Sequence, residues 1–267
     1  MSEQRDDRRP VSDEQSTPDS PAPEPATLTV AAVLRATVDR LRAEPWLAVP
    51  FVLAGIVMGA VDFARRWDPI PASGDSSNGL SVEIAFYLYP TGVADTARPL
   101  GAMVDLLPEY LLWAIGLELA VLLAVGGAGW IVISRGLGQP LAWRSAARYI
   151  GVLVVPLWVV RLAGGAEIEF TNGGLIFGIP LLLLWAVVLV RLFLLPVCLV
   201  DGHGLIAAVR KSVRLSRGIG WTIFGLIVLI GLGTSLVGSI PTVSGILSAA
   251  LFAPLHAISA VVLYERV

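Results

Sequence analysis

Six apolar stretches, each near 20 residues long, leave this chain few ways to fold. An α-helix rises 1.5 Å per residue, so about 20 residues cross a ~30 Å hydrocarbon layer. A helix also satisfies its own backbone N–H and C=O groups, which that layer demands. The stretches run over 46–64, 109–134, 146–163, 175–200, 221–238 and 244–264. The third is the weakest, being short and interrupted by Pro156. Composition agrees: 55% of the 267 residues are hydrophobic, only 15% are charged, and mean hydropathy is +0.76. A water-soluble fold of this size cannot hide so much apolar surface, so a soluble globular protein is excluded. The expected fold class is an all-α integral membrane protein with six transmembrane helices.

The net charge of −2 averages two unlike parts. Residues 1–27 hold five prolines, seven acids, three arginines and almost nothing apolar. Such a segment cannot bury enough surface to offset the entropy of ordering, and it reads as a disordered acidic tail ahead of a membrane domain at 28–267. It lacks the apolar core of a signal peptide, so the first span is expected to be an uncleaved anchor. In the membrane domain, the bases flanking the spans sort by side. Eleven (Arg35, Arg40, Arg42, Arg135, Arg144, Arg148, Arg210, Lys211, Arg214, Arg217 and Arg266) fall in one set of connections, and three (Arg65, Arg66 and Arg98) in the other. The excess of bases on cytoplasmic loops then predicts both termini in the cytoplasm of a cell (plasma) membrane protein, with the 66–108 connection outside. Arg65-Arg66 runs against this assignment. Trp46, Trp67, Trp113, Trp130, Trp143 and Trp221 fall near span ends, where indole rings favour the interface.

Two cytoplasmic segments carry an amphipathic helical pattern, at 28–44 and 203–218. In the first, Val30, Leu34 and Leu41 oppose Arg35, Asp39 and Arg42. In the second, Leu205, Val209 and Val213 oppose Arg210, Lys211, Arg214 and Arg217. Helices of this kind lie in the headgroup plane with their bases toward anionic lipid, each base contributing about 1 kcal/mol. Those four bases are the candidate lipid-headgroup residues. The two segments also resemble one another, and 141–152 is a looser third copy, which suggests three units of a basic helix followed by a hairpin.

The stretch AVVLVRLFLLPVCLVDGHGLIAAVRKSVRLSRGIGW (186–221) combines an intramembrane arginine, a proline, an acid-glycine break, and a basic helix stopped by Arg-Gly before Trp. With the closing APLHAISAVVLYERV, it resembles a large, poorly characterised family of bacterial and archaeal polytopic membrane proteins. That family includes the membrane domain attached to some glycerophosphodiester phosphodiesterases. The resemblance implies a helical membrane fold with interfacial helices, but no chemistry: the soluble catalytic domain of the phosphodiesterase has no room here.

Within the spans, Glu118, Arg161 and Arg191 are the candidate intramembrane polar residues, because charge there is expensive and needs a partner. Depth favours a Glu118–Arg161 pair near the outer leaflet, while Arg191 is placed to snorkel toward cytoplasmic headgroups. Two histidines without clustered acids or cysteines offer no metal site, and no Walker or dinucleotide glycine fingerprint is present. Ser244 and His256 are too far apart on one helix to act as nucleophile and base. The single cysteine, Cys198, reads as a free core thiol. Gly55-xxx-Gly59 and Gly174-xxx-Gly178 have the spacing of close helix packing. No catalytic residue, metal or cofactor is expected, and nucleic acid is not an expected partner. The favoured reading is a non-enzymatic membrane protein whose basic helices engage lipid or a membrane partner. The alternative is a small-molecule or lipid transporter using the polar residues of spans two to four, which would require an enclosed cavity reaching Glu118 and Arg191.

Overall fold

The structure, a computed structural model, describes residues 28–74, 87–94, 96–98, 100–162, 174–238, 240 and 243–267. The tail at 1–27 lies outside the described residues, as do the side chain of Arg161 and the surroundings of Gly174 and Gly178. Among the described residues the elements are helical, apart from a two-residue antiparallel pairing of Ser73–Gly74 with Thr96–Ala97. Six helical stretches are long and apolar enough to cross a membrane: Pro45–Trp67, Pro108–Gly136, Trp143–Val160, Leu182–Val200, Gly220–Val237 and Ser244–Arg266. They overlap the six stretches read from the sequence.

In chain order the helices are α1 (Val30–Ala43), α2 (Val49–Trp67), α3 (Pro108–Gly136), α4 (Trp143–Tyr149) and α5 (Val155–Leu162). Then follow α6 (Gly174–Leu192), α7 (Leu195–Val200), α8 (Leu205–Leu215), α9 (Gly220–Gly238) and α10 (Ser244–Arg266). Prolines set several boundaries, since a first-turn proline gives up an N–H that has no helical partner anyway. Pro50, Pro108 and Pro196 sit in the first turns of α2, α3 and α7. Pro156 falls inside the third span and cannot donate to the carbonyl one turn back. Its cost is absorbed by a π turn over Ile150–Val154, which joins α4 to α5. The third copy of the suspected repeat therefore runs straight into its span, whereas α1 and α8 are separate helices ahead of α2 and α9.

The most enclosed helix is α10, with 67% of its span buried against 28% for the third span. Its inner faces are made of small residues, including Ser248, Ala249, Ala253, Ala257 and Ala260. Apolar helices gain no hydrophobic driving force from one another in lipid, so close packing of small residues holds them together. Here Gly55 and Gly59 of α2 serve that role as their spacing predicted. A Cβ on Gly55 would lie 2.9 Å from the Ile246 carbonyl oxygen, and one on Gly59 2.8 Å from the Ile246 side chain. Part of the long connection also enters the protein: Leu88 and Tyr89 are buried, and the Val93 N–H donates to Ser248 Oγ at 2.9 Å.

Two helices at one end of the bundle stop on left-handed glycines. Gly138 (φ 65°) follows α3, with the Gln139 N–H returning to the Ser134 carbonyl at 2.9 Å. Gly202 (φ 104°) follows α7, with the His203 N–H returning to the Cys198 carbonyl at 3.2 Å. These six-to-one closures satisfy otherwise orphaned carbonyls. They also turn Gln139 toward Asp201, which accepts from its Nε2 at 2.7 Å.

Candidate functional site

Two polar clusters sit at opposite ends of the bundle. The first is buried around the last turn of α2. Arg65 and Asp62 are 4% exposed and Glu118 is 5% exposed, so all three are out of reach of water. The Arg65 guanidinium pairs with Glu118, donates to the Thr96 carbonyl at 2.9 Å, and lies 3.5 Å from Asp62 Oδ1. Thr96 in turn donates its hydroxyl to Asp62 Oδ1 at 2.6 Å and its N–H to the same oxygen at 3.3 Å. Nearby, Arg98 Nη2 binds Asp68 at 2.7 Å, and Trp113 Nε1–H donates to Asp68 Oδ2 at 3.2 Å. Among the described residues the cluster holds three acids against two arginines. Buried charge is tolerated here because each acid has a cation or several donors in reach.

Among the described residues the partner of Glu118 is Arg65; the expected Glu118–Arg161 pair involves a side chain that lies outside them. Arg65 lies at the end of α2, and α3 returns alongside it, with Trp113 level with Asp68. Glu118, five residues farther along α3, therefore reaches the depth of Arg65. The signal in the sequence was the Asp62–Arg65 spacing, one helical turn apart inside a span. Read as the basic end of the span, Arg65 concealed it.

The second cluster knits the other end. Tyr264 donates its hydroxyl to Asp201 Oδ2 at 2.5 Å, and Lys211 Nζ lies 3.3 Å from the same oxygen. Lys211 also donates to the Tyr264 hydroxyl, and sits 4.7 Å from the centre of its ring. His203 Nδ1 is 3.4 Å from Asp201 Oδ2, and Arg148 donates to the Gly202 carbonyl. Arg40 of α1 pairs with Glu265 at 2.8 Å and donates to the Gly136 carbonyl. Partial burial pushes the Asp201 carboxyl up, but the hydrogen bonds from Tyr264, Gln139 and Lys211, with the Lys211 charge, outweigh it. The net result is a carboxylate below the ordinary range.

These contacts bring the eleven flanking bases to one end, where four acids (Asp39, Glu44, Asp201 and Glu265) accompany them. Arg191 belongs to this basic end as well. Its guanidinium lies 3.4 Å from Ser216 Oγ, and its carbonyl accepts from Ser212 Oγ at 2.7 Å. Arg191 thus turns toward Ser216 at the end of α8, while Glu118 belongs to the opposite end.

The face of α8 that packs on the protein is Ala208 and Ser212, continued by Ser216. Small side chains let α8 sit close on α7, and Ser212 anchors it to α6. Val209 and Val213 are half-buried, and Leu205 and Ile206 are 49% and 69% exposed. Of the four candidate headgroup residues, Arg210, Arg214 and Arg217 are exposed. Lys211 turns inward to Asp201 and Tyr264, since an ammonium beside a carboxylate and an aromatic face is better held than one in solvent. The three arginines, Lys211 and His203 line a shallow open groove of about 580 Å³. A second concavity of about 220 Å³, between Trp46 and Arg135, opens at the same end. Neither groove touches Glu118.

Among the tryptophans, Trp46, Trp143 and Trp221 are 74%, 74% and 85% exposed at the basic end, and Trp67 is 78% exposed at the other. Trp130 is only half-buried, and its Nε1–H donates to Ser145 Oγ at 2.8 Å, tying α3 to α4. In α1, Val30, Leu34 and Leu41 pack on the protein core, with Arg35, Asp39 and Arg42 exposed. Among the described residues no group of three or more His, Cys, Asp or Glu is placed to hold a metal ion. Comparison with protein-family models, with curated proteins and with solved structures returned no match.

Proposed function

We propose that this chain is a non-catalytic multi-pass protein of the cell membrane, with both termini in the cytoplasm, that holds anionic lipid headgroups at its basic end. The observation that carries this reading is α8, whose inner face is locked to the fold while Arg210, Arg214 and Arg217 stand exposed along one groove. Leu205 and Ile206 project beside them, as a helix at the acyl–headgroup boundary requires. Arg65, which ran against this orientation in the sequence, is engaged inside the protein and offers no charge to the outer surface. The resemblance of 186–221 to polytopic membrane proteins agrees with the reading and adds no chemistry to it.

Headgroup attraction of this kind is worth about 1 kcal/mol per base, so three arginines supply about 3 kcal/mol, on the order of a hundredfold in affinity. Native mass spectrometry of the intact protein, titrated with phosphatidylglycerol or phosphatidylcholine, tests it. Wild type should retain phosphatidylglycerol preferentially, and the Arg210→Gln/Arg214→Gln/Arg217→Gln variant should lose most of that preference. Equal retention by both proteins would reject the reading.

A further inference from the structure

The guanidiniums on α8 form a row whose length and charge exceed what one phosphate can occupy. Arg210 and Arg214 stand on one face of the helix, ~6 Å apart along its axis, and Arg217 continues the row just past the last helical residue, Leu215. All three are exposed, and none has an ion-pair partner among the described residues. Among those residues no acid lines the groove; apart from the cations and His203 its walls are Ala207, Val209 and Val213. Asp201 engages Lys211, which leaves three positive charges facing outward. The row is also held in place. Ser212 Oγ donates to the Arg191 carbonyl at 2.7 Å, and Ser216 Oγ lies 3.4 Å from the Arg191 guanidinium, so the spacing is set before any ligand arrives.

We propose that this groove is a site for a lipid carrying two phosphates on one glycerol bridge. One phosphate lies between Arg210 and Arg214, the other between Arg214 and Arg217. Those two positions are about 5 Å apart along the axis, a span that a glycerol bridge covers. Arg214 serves both, because a guanidinium presents several N–H donors in a rigid fork and can bind two anions at once. Charge agrees as well, with two phosphodiester charges set against three arginines. Leu205 and Ile206, 49% and 69% exposed beside the row, and Val209 and Val213 along the groove give acyl chains an apolar track, which favours a lipid over a soluble bisphosphate. Once the first phosphate is held, the bridge presents the second at high effective concentration, so such a lipid gains about tenfold over one with a single phosphate. The site rests on the headgroup reading above and names the headgroup class.

Native mass spectrometry of the full-length protein, titrated in turn with phosphatidylcholine, phosphatidylglycerol, phosphatidic acid and cardiolipin, tests it. Phosphatidic acid controls for charge alone, since its single phosphomonoester carries close to two negative charges near neutral pH. Cardiolipin should be retained about tenfold more tightly than either anionic lipid with one phosphate. Arg214→Gln, which removes the shared donor, should cut that preference to about twofold or less, with phosphatidylglycerol still retained over phosphatidylcholine. Arg42→Gln, at an exposed arginine of α1 outside the groove, should leave the preference unchanged. Equal retention of phosphatidic acid and cardiolipin overturns the two-phosphate site, as does a loss in Arg42→Gln as large as that in Arg214→Gln; the headgroup reading survives both. A wild-type protein that prefers no anionic lipid over phosphatidylcholine overturns the headgroup reading and the site with it.

Discussion

Replacing Arg65 by Met is expected to be the most damaging single change in the protein, costing about 3–5 kcal/mol. The guanidinium is the shared partner of two buried acids, Asp62 and Glu118, and also satisfies the Thr96 carbonyl. Without it, both carboxylates remain in a low-dielectric interior and lose the cation they share. The loss should appear as reduced yield of monodisperse protein and a lower unfolding midpoint in detergent. Removing all three charges together, as Arg65→Met/Asp62→Asn/Glu118→Gln, should recover part of that loss, because no uncompensated charge is left behind. If Arg65→Met alone were tolerated within about 1 kcal/mol, the cluster would not be the counter-charge described here.

Gly55→Val is expected to have the next largest effect, about 1–3 kcal/mol from overpacking. The obstacle is the backbone of α10: a Cβ at Gly55 meets the Ile246 carbonyl oxygen at 2.9 Å and its Cα at 3.2 Å. A side chain could rotate aside, but a helix backbone cannot, so α2 and α10 would have to separate along their length. Gly116→Ala is the matched control, since a Cβ there meets nothing within 4 Å. That change should be neutral or slightly stabilising, as alanine is the better helix former. Thermal unfolding of the two variants side by side separates close approach from any general requirement for glycine. Equal effects would mean that the α2–α10 contact is not limited by Gly55.

The bundle was legible because its signals are local. Each span announces itself by length and hydropathy, and Gly55-xxx-Gly59 announces a close contact, though not the helix it meets. The candidate sites were harder to read because they are made of pairs distant in the chain. Glu118 stands out in the sequence as a charge inside a span, but depth along separate helices cannot say which helices are neighbours. Arg65 was assigned the role of a boundary charge, which is what an arginine at a span end most often is. Likewise, the acid-glycine break at Asp201-Gly202 and the closing Tyr264 were each noticed alone. Only the packing of α10 against the α7–α8 turn brings the Tyr264 hydroxyl within 2.5 Å of Asp201. Lys211 shared the helical stripe of its neighbours in sequence, and lost that equivalence once Asp201 was beside it.

The central claim is that the end carrying eleven flanking bases faces the cytoplasm. Ala207, exposed on α8, and Val104, 66% exposed at the opposite end, mark the two sides. The native Cys198 is buried and should not react, so single cysteines report cleanly. With a membrane-impermeant maleimide applied to intact cells, Val104→Cys should be labelled at once, and Ala207→Cys only after permeabilisation. Labelling of Ala207→Cys from outside, with Val104→Cys protected, would contradict the orientation and the cytoplasmic lipid surface built on it.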